Sequence, residues 1–198
     1  MGEKSEKKKQ YILDKARGVF SEKGFKDVTM KDIVDACDIS RGGLYLYFSS
    51  TSEIFLEVLS ADVHEDDEEA VGAALSGNAS AGDMLALFLK EQKKEILRKK
   101  NNLTVATYEY FSVNKVSAKE NPLKEKFDTA VRIVEKLIEN GIDSGEFYCE
   151  NPVGCARNLM YVVEGLKITS NTIGITEEAI DRELMFVLEG LVPEESNS

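Results

Sequence analysis

The side chains with the most usable chemistry in this chain fall between residues 29 and 48, TMKDIVDACDISRGGLYLYF. Arg41 carries a planar guanidinium that can donate two parallel hydrogen bonds to guanine O6 and N7. Gly42 and Gly43 follow without side chains, so the start of a helix there can lie against a backbone or against base edges. Thr29, Lys31, Tyr45 and Tyr47 supply hydroxyls and positive charge of the kind that holds phosphate oxygens, and Ser40 stands at the cap of the same helix. Both tyrosines also have a packing role open to them, Tyr47 above all.

Catalysis would need residues that are missing. His64 is the single histidine, and it stands in an acidic run, residues 64–69 (HEDDEE), with no GxSxG nucleophile turn anywhere. A metal site on that run can be drawn, but one imidazole is a poor ligand set and such runs are ordinarily solvated faces. Neither a Walker loop nor GxGxxG occurs. Cys37, Cys149 and Cys155 form an odd set without CxxC spacing, which suits a reduced compartment better than a disulfide framework or a zinc site. No enzymatic activity, cofactor or metal is expected. The first ten residues lack the apolar core of a signal peptide, and no apolar run approaches the length of a membrane span, so the expected location is the cytoplasm.

The elements that must position residues 29–48 are two short helices and the tight turn between them. Thr29 can cap the first, which presents Ile33, Ala36 and Cys37 at helical spacing. Asp38 tolerates the left-handed backbone that a sharp inter-helix turn demands. Ile39 then plugs the angle, Ser40 caps the second helix, and Leu44 and Phe48 anchor it inward at i, i+4 spacing. Helix, turn and helix is the geometry by which an exposed helix enters the DNA major groove. A preceding helix is expected over residues 8–23, with Ile12, Ala16, Val19 and Phe20 inward and Gly24 as its stop. Residues 1–10 read as a polar, lysine-rich arm, either a solvated tail or a phosphate contact. Ser50 and Glu53 form a capping box for a fourth helix carrying Ile54, Phe55, Val58 and Leu59.

These residues resemble the DNA-binding domain of the TetR family of bacterial transcriptional regulators. The likeness runs from Tyr11 to about Leu59: Ala16 with Phe20, Gly24-Phe25, Thr29, Ile33, Ile39-Ser40-Arg41-Gly42, Leu44-Tyr45 and Phe48. Two positions depart from the family pattern. Asp38 stands where glycine is usual, and Thr51, otherwise a DNA contact, stands where lysine is usual.

The rest of the chain reads as helices too. SGNASAG, residues 76–82, is a small-residue linker, followed by a helix bearing Met84, Leu87, Phe88 and Ile96 and another from Leu103 to about Lys119. Asn121-Pro122 opens a helix apolar on two sides that is expected to stop at Asn140-Gly141; Asn151-Pro152 opens the next, and residues 176–192 form the last. The fold expected is all-α, of nine or ten helices: a three-helix helix-turn-helix domain over 1–50 and a larger ligand-binding and dimerisation domain over 51–198. The resemblance implies a homodimer through the last two helices, on a palindromic operator in double-stranded DNA, released by a small-molecule effector. Candidates for the effector pocket are Met84, Phe88, Tyr108, Phe111, Phe127, Met160, Tyr161 and Glu164. Were Glu164 buried and unpaired, a cationic ligand would be favoured. The alternative is a protein of the same fold that acts through protein partners without an operator.

Charge is compatible with this division. The chain carries a formal −11, yet residues 1–60 hold ten basic and ten acidic side chains, so the whole excess lies beyond them. The neutral part can approach phosphate, and the acidic part is held off it.

Overall fold

The computed structural model describes residues 2–65 and 79–191, and of residues 62–65 the backbone alone. Among the described residues there are nine helices and no strand: α1 (Glu3–Lys23), α2 (Met30–Cys37), α3 (Arg41–Tyr45), α4 (Thr51–Glu65), α5 (Ala81–Leu97), α6 (Thr104–Val113), α7 (Pro122–Ser144), α8 (Pro152–Thr172) and α9 (Glu177–Glu189). They form two compact units. The first holds residues 2–65 and 99–123, the second 79–98 and 124–191. The 64–69 run and the first part of the 76–82 linker lie outside the residues whose side chains are described. No described helix is long and apolar enough to cross a membrane.

The first unit is built on α1, which buries Ile12, Ala16 and Phe20 against α2 and α4. Its core is aromatic at the centre: Phe20 and Phe55 meet edge-on with centroids 4.8 Å apart, and Phe25 meets Tyr110 at 4.7 Å and 88°. Each fully buried ring contributes about 1.5–3 kcal/mol through the area it removes from water. Tyr110 comes from α6, so this core draws on a helix more than eighty residues away in sequence. That is why α4 and α6 fall with the first unit here, whereas the expected division at residues 50 and 51 assigns them to the second.

Several expectations shift at the edges of elements. α1 begins at Glu3, five residues before the expected start, so the lysine-rich arm is helical. Strong helix formers and a Lys7–Glu3 ion pair at i, i+4 (2.7 Å) favour those turns without any apolar face. Ala36 is exposed, because the buried face of α2 is centred on Ile33, Val34 and Cys37 and Ala36 lies about 100° away from it. α6 ends at Val113, short of Lys119. α7 continues through Gly141 to Ser144, since the Phe147 ring folds back onto Gly141, where an added Cβ would lie 2.0 Å from Cδ2. The stop comes instead at Gly145, with φ of 80°.

In the second unit α5 packs on α8 and α9 around Leu89, Ile96, Val134, Leu159, Val163 and Ile180. Lys93 ties α5 to α9 by ion pairs with Glu177 (2.8 Å) and Asp181 (2.6 Å). The Ser170 hydroxyl donates to the Ile96 carbonyl at 2.9 Å. The N-terminus of α5 is closed by Glu146, whose carboxylate accepts from the N–H groups of Gly82 (2.9 Å) and Ala81 (3.2 Å). Those bonds, Gly82's foremost, hold its carboxyl below the usual carboxylate range. Cys149 and Cys155 are both free thiols, and burial, with Cys149 beside it, pushes the Cys155 thiol up to about 11.

Candidate nucleic-acid interface

The helix pair is set by local chemistry that the sequence announces. Thr29 is the N-cap of α2: its Oγ1 accepts from Asp32 N–H at 3.3 Å, and the Asp32 carboxylate accepts from Thr29 N–H at 2.8 Å. Lys23 pairs with the same carboxylate at 2.5 Å, and this contact, with the Thr29 bonds, holds the Asp32 carboxyl well below its ordinary range. α2 ends at Asp38 in the left-handed conformation, φ 50° and ψ 49°, as the turn requires. Ser40 then caps α3 by accepting from Gly43 N–H at 3.0 Å. Leu44 and Phe48 are fully buried and pin the helix to the core.

What remains outside α3 is narrow. Arg41 is exposed, with its guanidinium 5.6 Å from the centroid of the half-exposed Tyr45 ring, one turn along the helix. Gly42 faces open space, for a Cβ there would meet nothing within 4 Å, while at Gly43 it would crowd Ser40 Oγ at 3.2 Å. Thr29 and Lys31 are exposed, though the Thr29 hydroxyl already serves the cap of α2. Tyr47 is half-buried with its ring against the first core. Thr51 opens α4 beside Ser50, whose Oγ accepts from Glu53 N–H at 3.2 Å; Glu53 in turn takes the N–H of Ser49 (2.7 Å), one residue earlier than the capping box places it.

Three features here went unread in the sequence. Leu46 is 84% exposed beside Tyr45, although stepping 100° per residue from the buried Leu44 and Phe48 places it on the outer face. Lys4, Ser5, Lys7, Lys8 and Tyr11 of α1 line, with Tyr47, an open concavity of about 520 Å³, with Lys8 Nζ 4.9 Å over the Tyr11 ring. Glu109, on α6, accepts from the N–H groups of Phe25 (2.7 Å) and Lys26 (3.1 Å) and so holds the loop that leads into α2. No local signal could have found that last pairing.

The comparisons agree with this geometry. The family model described as "Bacterial regulatory proteins, tetR family" matches residues 12–58, and that described as "Tetracyclin repressor-like, C-terminal domain" matches residues 84–181. The chain is 30% identical over 181 residues to the HTH-type transcriptional regulator YfiR of Bacillus subtilis, covering 90% of this chain and 86% of that one. The chain belongs to the TetR family. Among solved structures, E. coli NemR in its reduced form superposes with a TM-score of 0.80 at 14% identity, over 95% of this chain and 99% of that one. A transcriptional regulator from Saccharomonospora viridis in complex with choline gives 0.78 at 19% identity, over 94% and 98%. At those identities the structures speak to the fold alone. TetR-family chains are transcriptional regulators with a DNA-binding helix-turn-helix, and that much holds for this one.

The expected pocket residues are spread over both units. Met84, Phe88, Phe127 and Met160 pack in or against the second core, and Tyr161, 62% exposed, stacks on Phe127 at 5.2 Å. Tyr108 and Phe111 belong to the first unit, where Phe111 packs edge-on to Tyr110 at 5.1 Å. Glu164 is ion-paired to Lys167 at 2.8 Å, so the condition that would favour a cationic ligand is not met.

Proposed function

We propose that this chain is a ligand-responsive repressor that binds a palindromic operator as a homodimer and releases it when a small molecule occupies the second unit. The observation that carries the DNA half is Arg41, exposed at the first turn of α3 beside an open Gly42. A guanidinium so placed discriminates a guanine by about 1–3 kcal/mol. Lys31, Tyr45 and the α1 lysines of the concavity supply phosphate contacts. Dimerisation is supported by large side chains on the last two helices that stand more than half exposed: Met185 and Phe186, 53% and 73% exposed, on α9, and Tyr161 on α8, 62% exposed although it stacks on Phe127. The match of residues 84–181 to a tetracycline-repressor-like C-terminal domain supports an effector site there. An effector acts only through different affinities for the operator-competent and released states.

Binding to the DNA upstream of its own gene, followed by fluorescence anisotropy over a salt series, tests the repressor. Salt-sensitive binding is expected, with Arg41→Ala losing roughly 5- to 150-fold in specific affinity for each half-site while nonspecific binding changes little. Absence of any salt-sensitive binding overturns it and favours the second reading, a TetR-fold protein that works through protein partners. The departures that motivate that reading are Thr51 in place of lysine and a first part with no net charge. Light scattering at micromolar concentration should return the mass of a dimer; a monomer sinks that part of the proposal.

A further inference from the structure

Directly after α3 stands an exposed apolar side chain, Leu46. Its backbone is in right-handed helical conformation, and its N–H donates to the Gly42 carbonyl at 3.2 Å. It therefore stands one turn above Gly42 on the same face, as Tyr45 stands one turn above Arg41. Two ladders result, one polar and aromatic, the other a leucine above a bare backbone. Nothing lies within 4 Å of where a Gly42 Cβ would stand, so the turn below Leu46 is open.

A single exposed leucine on a protein surface is ordinary. This one differs in its setting. The buried Leu44 and Phe48 fix the helix so that residue 46 points away from the core, directly after the half-exposed Tyr45, whose ring has the Arg41 guanidinium 5.6 Å from its centroid. Among base edges in the major groove, only thymine presents an apolar group, its C5 methyl. Arg41 and Leu46 are five residues apart, roughly 7.5 Å along a helix, which spans about two base-pair steps.

We propose that Leu46 is a specificity-determining residue that packs on the C5 methyl of a thymine within about two base pairs of the guanine met by Arg41. This rests on the operator-binding function proposed above. The methyl contact contributes discrimination that hydrogen bonding by Arg41 cannot, because it separates thymine from cytosine and from uracil by shape alone.

The test uses the full-length protein and a duplex selected by it from a random pool, with each thymine replaced singly by deoxyuridine, which removes the methyl and keeps the pairing edge. Wild type should lose about fourfold in affinity at one symmetry-related pair of positions. Leu46→Ala, which removes the contact from both half-sites of the dimer, should bind the unmodified duplex about as weakly as wild type binds a duplex with uracil at both symmetry-related positions, and should be indifferent to uracil there. Leu46→Met, which keeps a flexible apolar tip, should retain the uracil sensitivity. Because Leu46 is exposed, both variants should keep the wild-type melting temperature, so a loss of binding cannot be laid to unfolding. Wild-type binding with no uracil-sensitive position, or Leu46→Ala with unchanged affinity and an unchanged uracil profile, overturns the assignment and leaves the repressor standing. Absence of any selected duplex overturns both.

Discussion

Asp38 shows how one backbone angle governs the presentation of Arg41. Its φ of 50° lies where a Cβ crowds the following carbonyl, and an L-residue there costs about 1–2 kcal/mol unless it is Asp, Asn or Gly. Asp38→Ala should therefore lower stability by about 1 kcal/mol, whereas Asp38→Gly should stay within about 1 kcal/mol of wild type, since relief of the angle is offset by greater freedom of the unfolded chain. Chemical denaturation of both variants checks the pair, and a harmless Asp38→Ala would mean that the turn is not held as described. This residue was legible in advance, as were Thr29 and Ser40, because a cap or a turn is a short-range matter between neighbours in sequence. Leu46 was legible in principle, by helical phase from Leu44 and Phe48, but an apolar residue outside invites the assumption that it must be inside.

Among the elements, α6 is the one that sequence placed least well. Its turns repeat apolar and aromatic residues, which announces a helix but not the unit it joins. The decisive contact is Glu109 to the N–H groups of Phe25 and Lys26, and nothing within eighty residues of Glu109 points to it. Glu109→Ala leaves two backbone donors without their partner and should cost about 1–2 kcal/mol. Gly24→Ala should also destabilise, because φ there is 77° and an added Cβ would lie 2.6 Å from Glu109 Oε2. Part of the Gly24→Ala penalty is that crowding, so the double variant should be less destabilised than the sum of the two. Thermal melts of the four proteins in a double-mutant cycle measure the coupling, and strict additivity would contradict it. α1 and α7 teach the complementary lesson. Lysine-rich turns and an internal glycine both read as ends of helices, yet an i, i+4 ion pair carries α1 back to Glu3, and the ring of Phe147 explains why a glycine, and not a stop, stands at 141.

Across the whole molecule, several carboxylates are held below their ordinary range by bonds that exist only when the chain is folded: Asp32 by Lys23 and Thr29, Glu53 by Ser49, Glu146 by Gly82, Ser144 and Ala81. A carboxyl whose folded value is depressed stabilises the fold above its unfolded value, near 4, and loses that contribution as pH falls further, because the unfolded chain then binds more protons. Melting temperature should accordingly be flat at neutral pH and fall below about pH 4.5, less steeply in Glu53→Gln combined with Glu146→Gln, whose bonds do not titrate. An unchanged acid limb in that variant would refute the attribution. The participation of α6 in the first core also bears on how the protein is made. Leu103, Ala106 and Tyr110 complete the packing around Phe25 and Phe55, so a nascent chain that has released only its first 65 residues exposes the apolar side on which those residues belong. The DNA-reading unit cannot finish folding on the ribosome until residue 113 has emerged, and a chimera that borrows residues 1–65 alone inherits an uncovered aromatic cluster rather than a portable reading head.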